Sequence, residues 1–231
     1  MLTLRSSLLM ASVPLLLASV HAAENRDVAH DMKPAMTQRG KLLFSDDFSA
    51  PALAPHWKKG PGKWDIVDGT LKGVELEANH HAAVVRTRVA YHDAIFQLAF
   101  KLEGGKQTSL SINDAGGHVC RVFVRPDGIS VNRDKPNAKS AEKAMVLDTR
   151  KGKLELGRWY NLLVEVSGNR MLARVEGTNL VAYGEHDAIN GDKVDFGLPV
   201  SGDSISFDNI RVWEATSAKN WDKSKLEMLR K

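Results

Sequence analysis

The chain has 231 residues, a net charge of +4 and 26% charged residues, an ordinary composition for a globular protein. Its basic residues are scattered among acids, and no basic block is interleaved with aromatic residues, so we expect no nucleic-acid partner. A single cysteine, Cys120, excludes an intramolecular disulfide, and its apolar neighbours predict a small buried thiol.

The first residues are typical of a targeting segment rather than of a folded element. Arg5 supplies a positive charge, an apolar run covers residues 8–20, and small residues precede the end of the segment at Ala22. This pattern predicts a secretory signal peptide over residues 1–22, cleaved near Ala22, and therefore an exported protein that is periplasmic or extracellular. Because the run is short and no other approaches its length, we expect no membrane span in the mature protein.

The remaining chain shows the pattern of short antiparallel strands. Residues 23–40 are polar and lack periodicity, so they are predicted to form a flexible leader. Apolar and polar residues then alternate in short stretches separated by turn-forming residues. We predict one all-β domain over residues 41–215, a two-sheet antiparallel jelly-roll sandwich. The polar tail at residues 216–231 predicts a short C-terminal helix.

The longest alternating stretch lies at residues 204–214, near the end of the predicted domain. Strict alternation puts Ile205, Phe207 and Trp213 on one face, and Ile210 and Val212 on the other. A strand of this length needs a partner for its backbone groups. We expect it to pair with residues 42–48 and so to close the sandwich.

Polar and apolar faces also alternate along residues 94–102, 108–113 and 118–124, which we expect to be neighbours in one sheet. Their shared polar face combines planar amides, guanidinium donors and an aromatic ring, the groups that recognise sugars. The alternative is an ordinary solvated sheet face. The predicted ligand-binding residues are Gln97, Lys101, Ser109, Ser111, Asn113, Arg121, Phe123 and Arg125.

No catalytic motif in the sequence is specific by itself. His118 lies beside the predicted polar face and could act as an acid or a base. If the protein is an enzyme, the candidate catalytic residues are His118, Arg121 and Glu165. A structural calcium ion is a separate prediction, because Asp47 and Asp208 would come close if the first and last strands pair. The alternative is that these acids cap turns or face water.

Four stretches resemble the concanavalin A-like jelly rolls: residues 64–71 (WDIVDGTL), 86–96, 157–160 (GRWY) and 208–213 (DNIRVW). The resemblance is nearest to the 3-keto-disaccharide hydrolase domain family, and extends to laminin-G-like and family-16 glycoside hydrolase jelly rolls. It implies a two-sheet sandwich and a carbohydrate ligand.

The sequence departs from these enzyme families at their characteristic motifs. The E-x-D-x-x-E triplet of the family-16 enzymes does not occur between residues 108 and 124. The N-S-G stretch of the 3-keto-disaccharide family is replaced by residues 108–113 (TSLSIN). Our first hypothesis is therefore an exported carbohydrate-binding protein without catalysis. The alternatives are a glycan-active enzyme, such as a 3-keto-glycoside hydrolase or lyase, and a non-catalytic envelope adhesion or structural module.

Overall fold

The computed structural model describes residues 30–137 and 139–230. The predicted signal peptide and its cleavage position lie outside the described residues. The helix α1 (Trp221–Leu229) follows the last strand. The strands in chain order are β1 (Thr37–Asp46), β2 (Trp57–Lys59), β3 (Lys63–Val67), β4 (Thr70–Val74), β5 (Ala83–Tyr91), β6 (Ala94–Leu102), β7 (Gly105–Asp114), β8 (Gly117–Arg125), β9 (Gly128–Arg133), β10 (Met145–Lys151), β11 (Trp159–Ser167), β12 (Arg170–Val175), β13 (Val181–Glu185), β14 (Lys193–Gly202) and β15 (Ser204–Ser217).

The strands form two antiparallel sheets that pack face to face, which confirms the predicted all-β jelly-roll sandwich. Sheet A has the order β13-β12-β11-β6-β15-β4-β3, with β1 also paired to β15. Sheet B has the order β10-β9-β8-β7-β14-β5-β2. Each strand buries alternate side chains against the opposite sheet, so each sheet has an inner face toward the core and an outer face.

Aromatic rings from both sheets meet around Phe196 on β14. Its ring centroid lies 5.4 Å from that of Phe96, 5.7 Å from Phe44 and 5.8 Å from Trp57, each at nearly perpendicular interplanar angles. Edge-to-face pairs of this kind add roughly 0.5–1.5 kcal/mol each beyond the burial of apolar area. Because Phe44 and Phe96 belong to sheet A, the cluster fixes the two sheets against each other.

The predicted pairing of the first and last strands is confirmed, with Leu42 opposite Trp213 and Asp46 opposite Ile210. The predicted faces are correct only as far as Asn209. A bulge at Asn209, whose φ is 48°, shifts the register of β15. Because an extra residue reverses the alternation, Ile210 and Val212 also enter the core, and Trp213 lies on the outer face.

Residues 30–36 form an N-terminal strap across the outer face of sheet A, and β1 begins at Thr37, so the described part of the predicted flexible leader, residues 30–40, is packed against the sandwich. Met36 is fully buried and Met32 nearly so. Met32 packs with Ile95 and Trp213, residues that the sheet turns away from the main core. The strap thus covers apolar groups that sheet A would otherwise expose to water.

The predicted C-terminal helix is confirmed as α1, which packs on the same side as the strap. Trp221 is buried against Tyr183, with ring centroids 5.6 Å apart, in a cluster that includes Met36. Leu226 of the same helix is 63% exposed and makes no such contact. Within residues 30–137 and 139–230, no helix has the length and apolar character needed to cross a membrane.

Candidate functional site

The predicted polar face is divided between the two sheets. The turn at Gly104 carries the chain from β6 in sheet A to β7 in sheet B, instead of joining neighbouring strands. Gln97 and Lys101 therefore lie on the outer face of sheet A, whereas Asn113 and Arg121 lie across the sandwich on sheet B. The prediction of one shared surface is wrong for the two β6 residues.

Gln97 and Lys101 have structural partners on sheet A. The Gln97 side chain is fully buried, accepting a hydrogen bond from Met32 N at 2.9 Å and donating one to His30 O at 2.6 Å. Lys101 pairs with Glu103 at 2.9 Å. Gln97 is thus committed to the N-terminal strap and is not accessible to a ligand.

Glu165 is also an anchor for the strap, and not a partner of His118. Its Oε2 accepts hydrogen bonds from Met36 N at 2.7 Å, Thr37 N at 2.8 Å and Thr37 Oγ1 at 2.8 Å, and its Oε1 accepts from Ala35 N at 2.9 Å. The side chain is fully buried on sheet A. The three predicted catalytic residues are therefore not brought together, although His118 and Arg121 are.

The outer face of sheet B carries a continuous row of directly opposed residues, which we call the central row. Small residues, Ser111 and Gly197, occupy its middle, and arginines lie on both sides. A Cβ atom added to Gly197 would lie 3.0 Å from Arg86 Cγ, so the Arg86 side chain lies over this glycine. The members of the central row, from β9 to β2, are Asn132, Arg121, Ser111, Gly197, Arg86 and Lys58.

A chain of hydrogen bonds beside the central row orients His118. Asn113 Nδ2 donates to Asp195 Oδ1 at 2.5 Å, which turns Asn113 Oδ1 toward His118 Nδ1, 2.6 Å away. Since an amide oxygen only accepts, His118 Nδ1 carries the hydrogen. His118 Nε2 is then the acceptor, and it has no hydrogen-bond partner within the described part of the chain.

The surroundings of His118 keep its imidazole neutral. Burial lowers the pKa of His118 below the ordinary 6.5, and the positive charges of Arg121 and Arg86 lower it further. The imidazole lies at a pocket of about 460 Å³ lined by the following residues: Arg86, Gly117, His118, Lys135, Pro136 and Asn137. A neutral imidazole with a free Nε2 can accept a hydrogen bond or a proton from a bound molecule.

The aromatic ring of this face, Phe123, lies between two guanidinium groups. Arg121 Cζ is 5.4 Å and Arg125 Cζ is 4.8 Å from the ring centroid. Phe123 is opposed by Ser109 on β7 and Ser130 on β9, which leave its ring flanked by small residues. The predicted residues on β7 and β8 thus share one face, although those on β6 do not.

Three residues of this face were missed from the sequence. Arg86 and Asp195 lie on β5 and β14, and Asp134 forms an ion pair with Arg121, its Oδ2 2.9 Å from Arg121 Nε. The alternation of residues 193–200 does place Asp195 opposite in parity to the core residue Phe196. What the sequence lacks is any sign that β14 and β5 adjoin β7.

The predicted metal residues, Asp47 and Asp208, lie at the paired strands β1 and β15. The negative charges of Asp47 and Asp46 contribute to the raised pKa of Asp208, although burial is the larger cause. Asp46 already binds Trp57 Nε1 at 2.8 Å. No group of three or more His, Cys, Asp or Glu side chains suited to a metal exists among residues 30–137 and 139–230, so the calcium ion stays a prediction.

Cys120 is fully buried in the core, as predicted. Burial raises the pKa of its thiol to about 12. Because the thiolate is the nucleophilic form, Cys120 is not a nucleophile at neutral pH.

Solved structures with the same fold bind or cleave carbohydrates. A carbohydrate-binding module, CBM66 from Bacillus subtilis, is 16% identical with a TM-score of 0.57, covering 71% of this chain and 100% of its own. A β-glucanase from Bacillus licheniformis is 9% identical with a TM-score of 0.56, covering 77% and 100%. A GlcNAcα1-4Gal-releasing endo-β-galactosidase from Clostridium perfringens is 13% identical with a TM-score of 0.58, covering 80% and 64%.

These similarities show the fold of the chain, a concanavalin A-like jelly roll. No protein-family model matches the sequence, and no curated protein matches it either. The function must therefore be argued from the residues of this chain.

Proposed function

We propose that the protein binds carbohydrate on the outer face of sheet B. The observation that carries this proposal is the convergence there of His118, Asn113, Arg121 and Phe123 around the small residues of the central row. A sugar presents hydroxyl groups and one apolar ring face. The imidazole Nε2 and the guanidinium groups suit the hydroxyls, and the Phe123 ring suits the apolar face.

The binding test uses a glycan array followed by affinity measurement with the best glycan. Phe123→Ala should weaken binding about three- to tenfold, the value of one aromatic contact. Trp159→Ala on sheet A is the matched control, since it also removes an aromatic ring beside a cation. This variant should bind the glycan with unchanged affinity. An array without hits, or equal loss in both variants, would count against the proposal.

A second candidate, a glycan-active enzyme such as a 3-keto-glycoside hydrolase or lyase, is favoured by one observation. The Asp195–Asn113–His118 chain presents a neutral imidazole to the pocket, the arrangement a general base requires. The test is product release from oligosaccharides, followed by mass spectrometry. His118→Gln should abolish the release, whereas binding should be weakened and not lost, because Arg121 and Phe123 remain. If the wild-type protein releases no product from any glycan that it binds, the enzyme hypothesis fails and only the binding function remains.

Export is proposed from the sequence of residues 1–22, which has the charge, apolar run and small residues of a secretory signal. An exported glycan-binding protein would meet its ligand outside the cytoplasm. Expression of the full chain, cell fractionation and mass spectrometry of the purified N-terminus test this. The expected mature chain begins near residue 23. An unprocessed chain that stays in the cytoplasm would refute export.

A further inference from the structure

The outer face of sheet B has an excess of positive charge among its described residues. Arg86, Arg121 and Arg125 lie in or beside the central row, and Arg88 is opposed to Asp195 on the neighbouring strand. The carboxylates that compensate this charge within the described residues of the face are Asp195 and Asp134. The composition favours a ligand that brings its own negative charge.

Arg86 retains open hydrogen-bond donors. Its closest carboxylate contact runs from Nη1 to Asp195 Oδ1 at 3.9 Å, beyond hydrogen-bond distance. That oxygen accepts its hydrogen bond from Asn113 Nδ2, at 2.5 Å. The Arg86 side chain is 38% exposed and lines the pocket. The Arg86 guanidinium group therefore lies at the pocket with hydrogen-bond donors that are free to bind an anion.

Arg121 has different contacts from Arg86, but it also has guanidinium N–H donors without a partner in the described part of the chain. Its Nε is 2.9 Å from Asp134 Oδ2, and its guanidinium lies over the Phe123 ring. Both Nη groups lack a hydrogen-bond partner among residues 30–137 and 139–230. A planar guanidinium that faces a carboxylate on its Nε side leaves its Nη groups in the geometry that binds carboxylate or sulfate oxygens.

The two arginines face one shallow strip of the sheet. Three interstrand steps separate β5 from β8, or about 14 Å between the Cα atoms of Arg86 and Arg121. The residues between them are the small Gly197 and Ser111, and the Arg86 side chain lies over Gly197. Arg86 lines the pocket at His118, and Arg121 lies near enough for its positive charge to lower the pKa of His118. An extended ligand lying along the strip would meet both cations and His118 Nε2.

We propose that the face binds an acidic polysaccharide, whose carboxylate or sulfate groups contact the Arg86 and Arg121 guanidinium groups. Neighbouring sugar hydroxyls meet the neutral His118, which accepts through Nε2. The proposal rests on the proposed carbohydrate-binding function of the same face and adds the chemical class of the ligand. It also gives the neutral imidazole a role: the arginines supply the positive charge that binds the acidic groups, and His118 supplies a hydrogen-bond acceptor for the hydroxyls.

Binding to matched pairs of polymers tests the proposal. Polygalacturonate is compared with its fully methyl-esterified form, and dextran sulfate with dextran, by affinity electrophoresis of the purified protein. We expect binding to at least one charged polymer and not to its neutral counterpart. Retention by polygalacturonate identifies a carboxylate ligand, and retention by dextran sulfate alone identifies a sulfate ligand.

Variants separate a built site from general attraction to a basic protein with a pI of about 9.1. Arg86→Gln and Arg121→Gln should each weaken binding about tenfold or more. Arg158→Gln, just before β11 of sheet A, removes the same charge from an arginine with an equally distant partner, Glu155 at 3.9 Å, and should leave binding unchanged. Arg86→Lys keeps the charge, and its intermediate affinity shows that loss in Arg86→Gln is not loss of folding.

The outcomes that overturn this inference differ from those that overturn the proposed function. If neutral polymers bind as well as charged ones, and Phe123→Ala still weakens them, the face binds carbohydrate but not by its charge. If Arg158→Gln weakens the charged polymers as much as Arg86→Gln does, the attraction is nonspecific and the inference fails. Absence of binding to either charged polymer also refutes it, whereas a neutral hit on the glycan array would leave the proposed function standing.

Discussion

His118 Nδ1 lies 2.6 Å from Asn113 Oδ1, and this contact determines which ring nitrogen is presented to the pocket. The amide is oriented in turn by Asp195, which accepts from Asn113 Nδ2. A carboxylate thus acts on the imidazole through an amide. Because no carboxylate touches the ring directly, nothing strongly favours the imidazolium, and the ring stays neutral beside two arginines.

The first prediction concerns the titration of His118. Its pKa lies below 6.5 because of burial first and the charges of Arg121 and Arg86 next. Arg121→Gln removes one positive charge and should raise the pKa of His118 toward the ordinary value. Two-dimensional NMR of the imidazole against pH measures it. Arg158→Gln serves as the control, and an unchanged or lower pKa in Arg121→Gln would contradict the electrostatic account.

The second prediction concerns the anchor of the N-terminal strap. Glu165→Ala leaves the backbone N–H groups of Ala35, Met36 and Thr37 without their acceptor. The expected loss is about 3 kcal/mol or more in the free energy of unfolding, measured by urea denaturation. Hydrogen exchange should accelerate at residues 35–37. The exposed Glu155→Gln is the control, and unchanged exchange in Glu165→Ala would show that the strap is held by other contacts.

The alternation of apolar and polar residues predicts much of the fold, and the predictions that were wrong have physical causes. The pairing of β1 with β15 was predictable because a long terminal strand needs a neighbour. Alternation does not report a bulge, so the face of Ile210 was assigned wrongly beyond Asn209. Nor does it report whether a turn such as that at Gly104 joins neighbours or crosses between sheets.

The candidate site was predictable only where it is local in sequence. Asn113 and Arg121 belong to neighbouring strands joined by one turn, so their common face follows from alternation. Arg86 and Asp195 reach the same face through strand pairings between residues far apart in the chain. Glu165 looked like a free acid because the polar segment that covers it carries no periodic signal.

The third prediction concerns the bulge in β15. Asn209 has a φ of 48°, in the left-handed region that Asn tolerates and most other residues avoid. Asn209→Ala should therefore cost about 1 kcal/mol of unfolding free energy, whereas Asn209→Gly should cost little or stabilise. Urea denaturation compares the two with Asn190→Ala, where φ is −72° and no such penalty applies. Equal effects of Ala and Gly at residue 209 would argue against backbone strain as the cause.

The fourth prediction concerns the pH dependence of stability. Burial, with the negative charges of Asp47 and Asp46, raises the pKa of Asp208 to about 7 from 3.8. The folded protein therefore binds this proton more tightly than the unfolded chain does, so the associated stability is complete below about pH 4 and is lost as pH rises to about 7. The loss is at most about 4 kcal/mol.

Asp208→Asn isolates this contribution, because asparagine keeps an acceptor for Asn209 N without the charge. Measured in a chelator, the variant should match the wild type near pH 4 and exceed its unfolding free energy near pH 8. Asp203→Asn, in the turn between β14 and β15 and outside the Asp46–Asp47 cluster, is the control. A difference that does not grow between pH 4 and pH 8 would refute the raised pKa.

The fifth prediction concerns calcium, which would reverse the fourth at neutral pH. A bound cation beside Asp47 and Asp208 offsets the repulsion between their carboxylates and lowers the pKa of Asp208. Calcium should then raise the Tm near pH 8 and have less effect near pH 5, where protonation of Asp208 competes with the ion. Differential scanning calorimetry with and without a chelator measures both. Asp47→Asn and Asp208→Asn should each remove the calcium-dependent shift. A Tm that does not change with calcium at pH 8, or a shift that survives both substitutions, would refute a calcium site at Asp47 and Asp208.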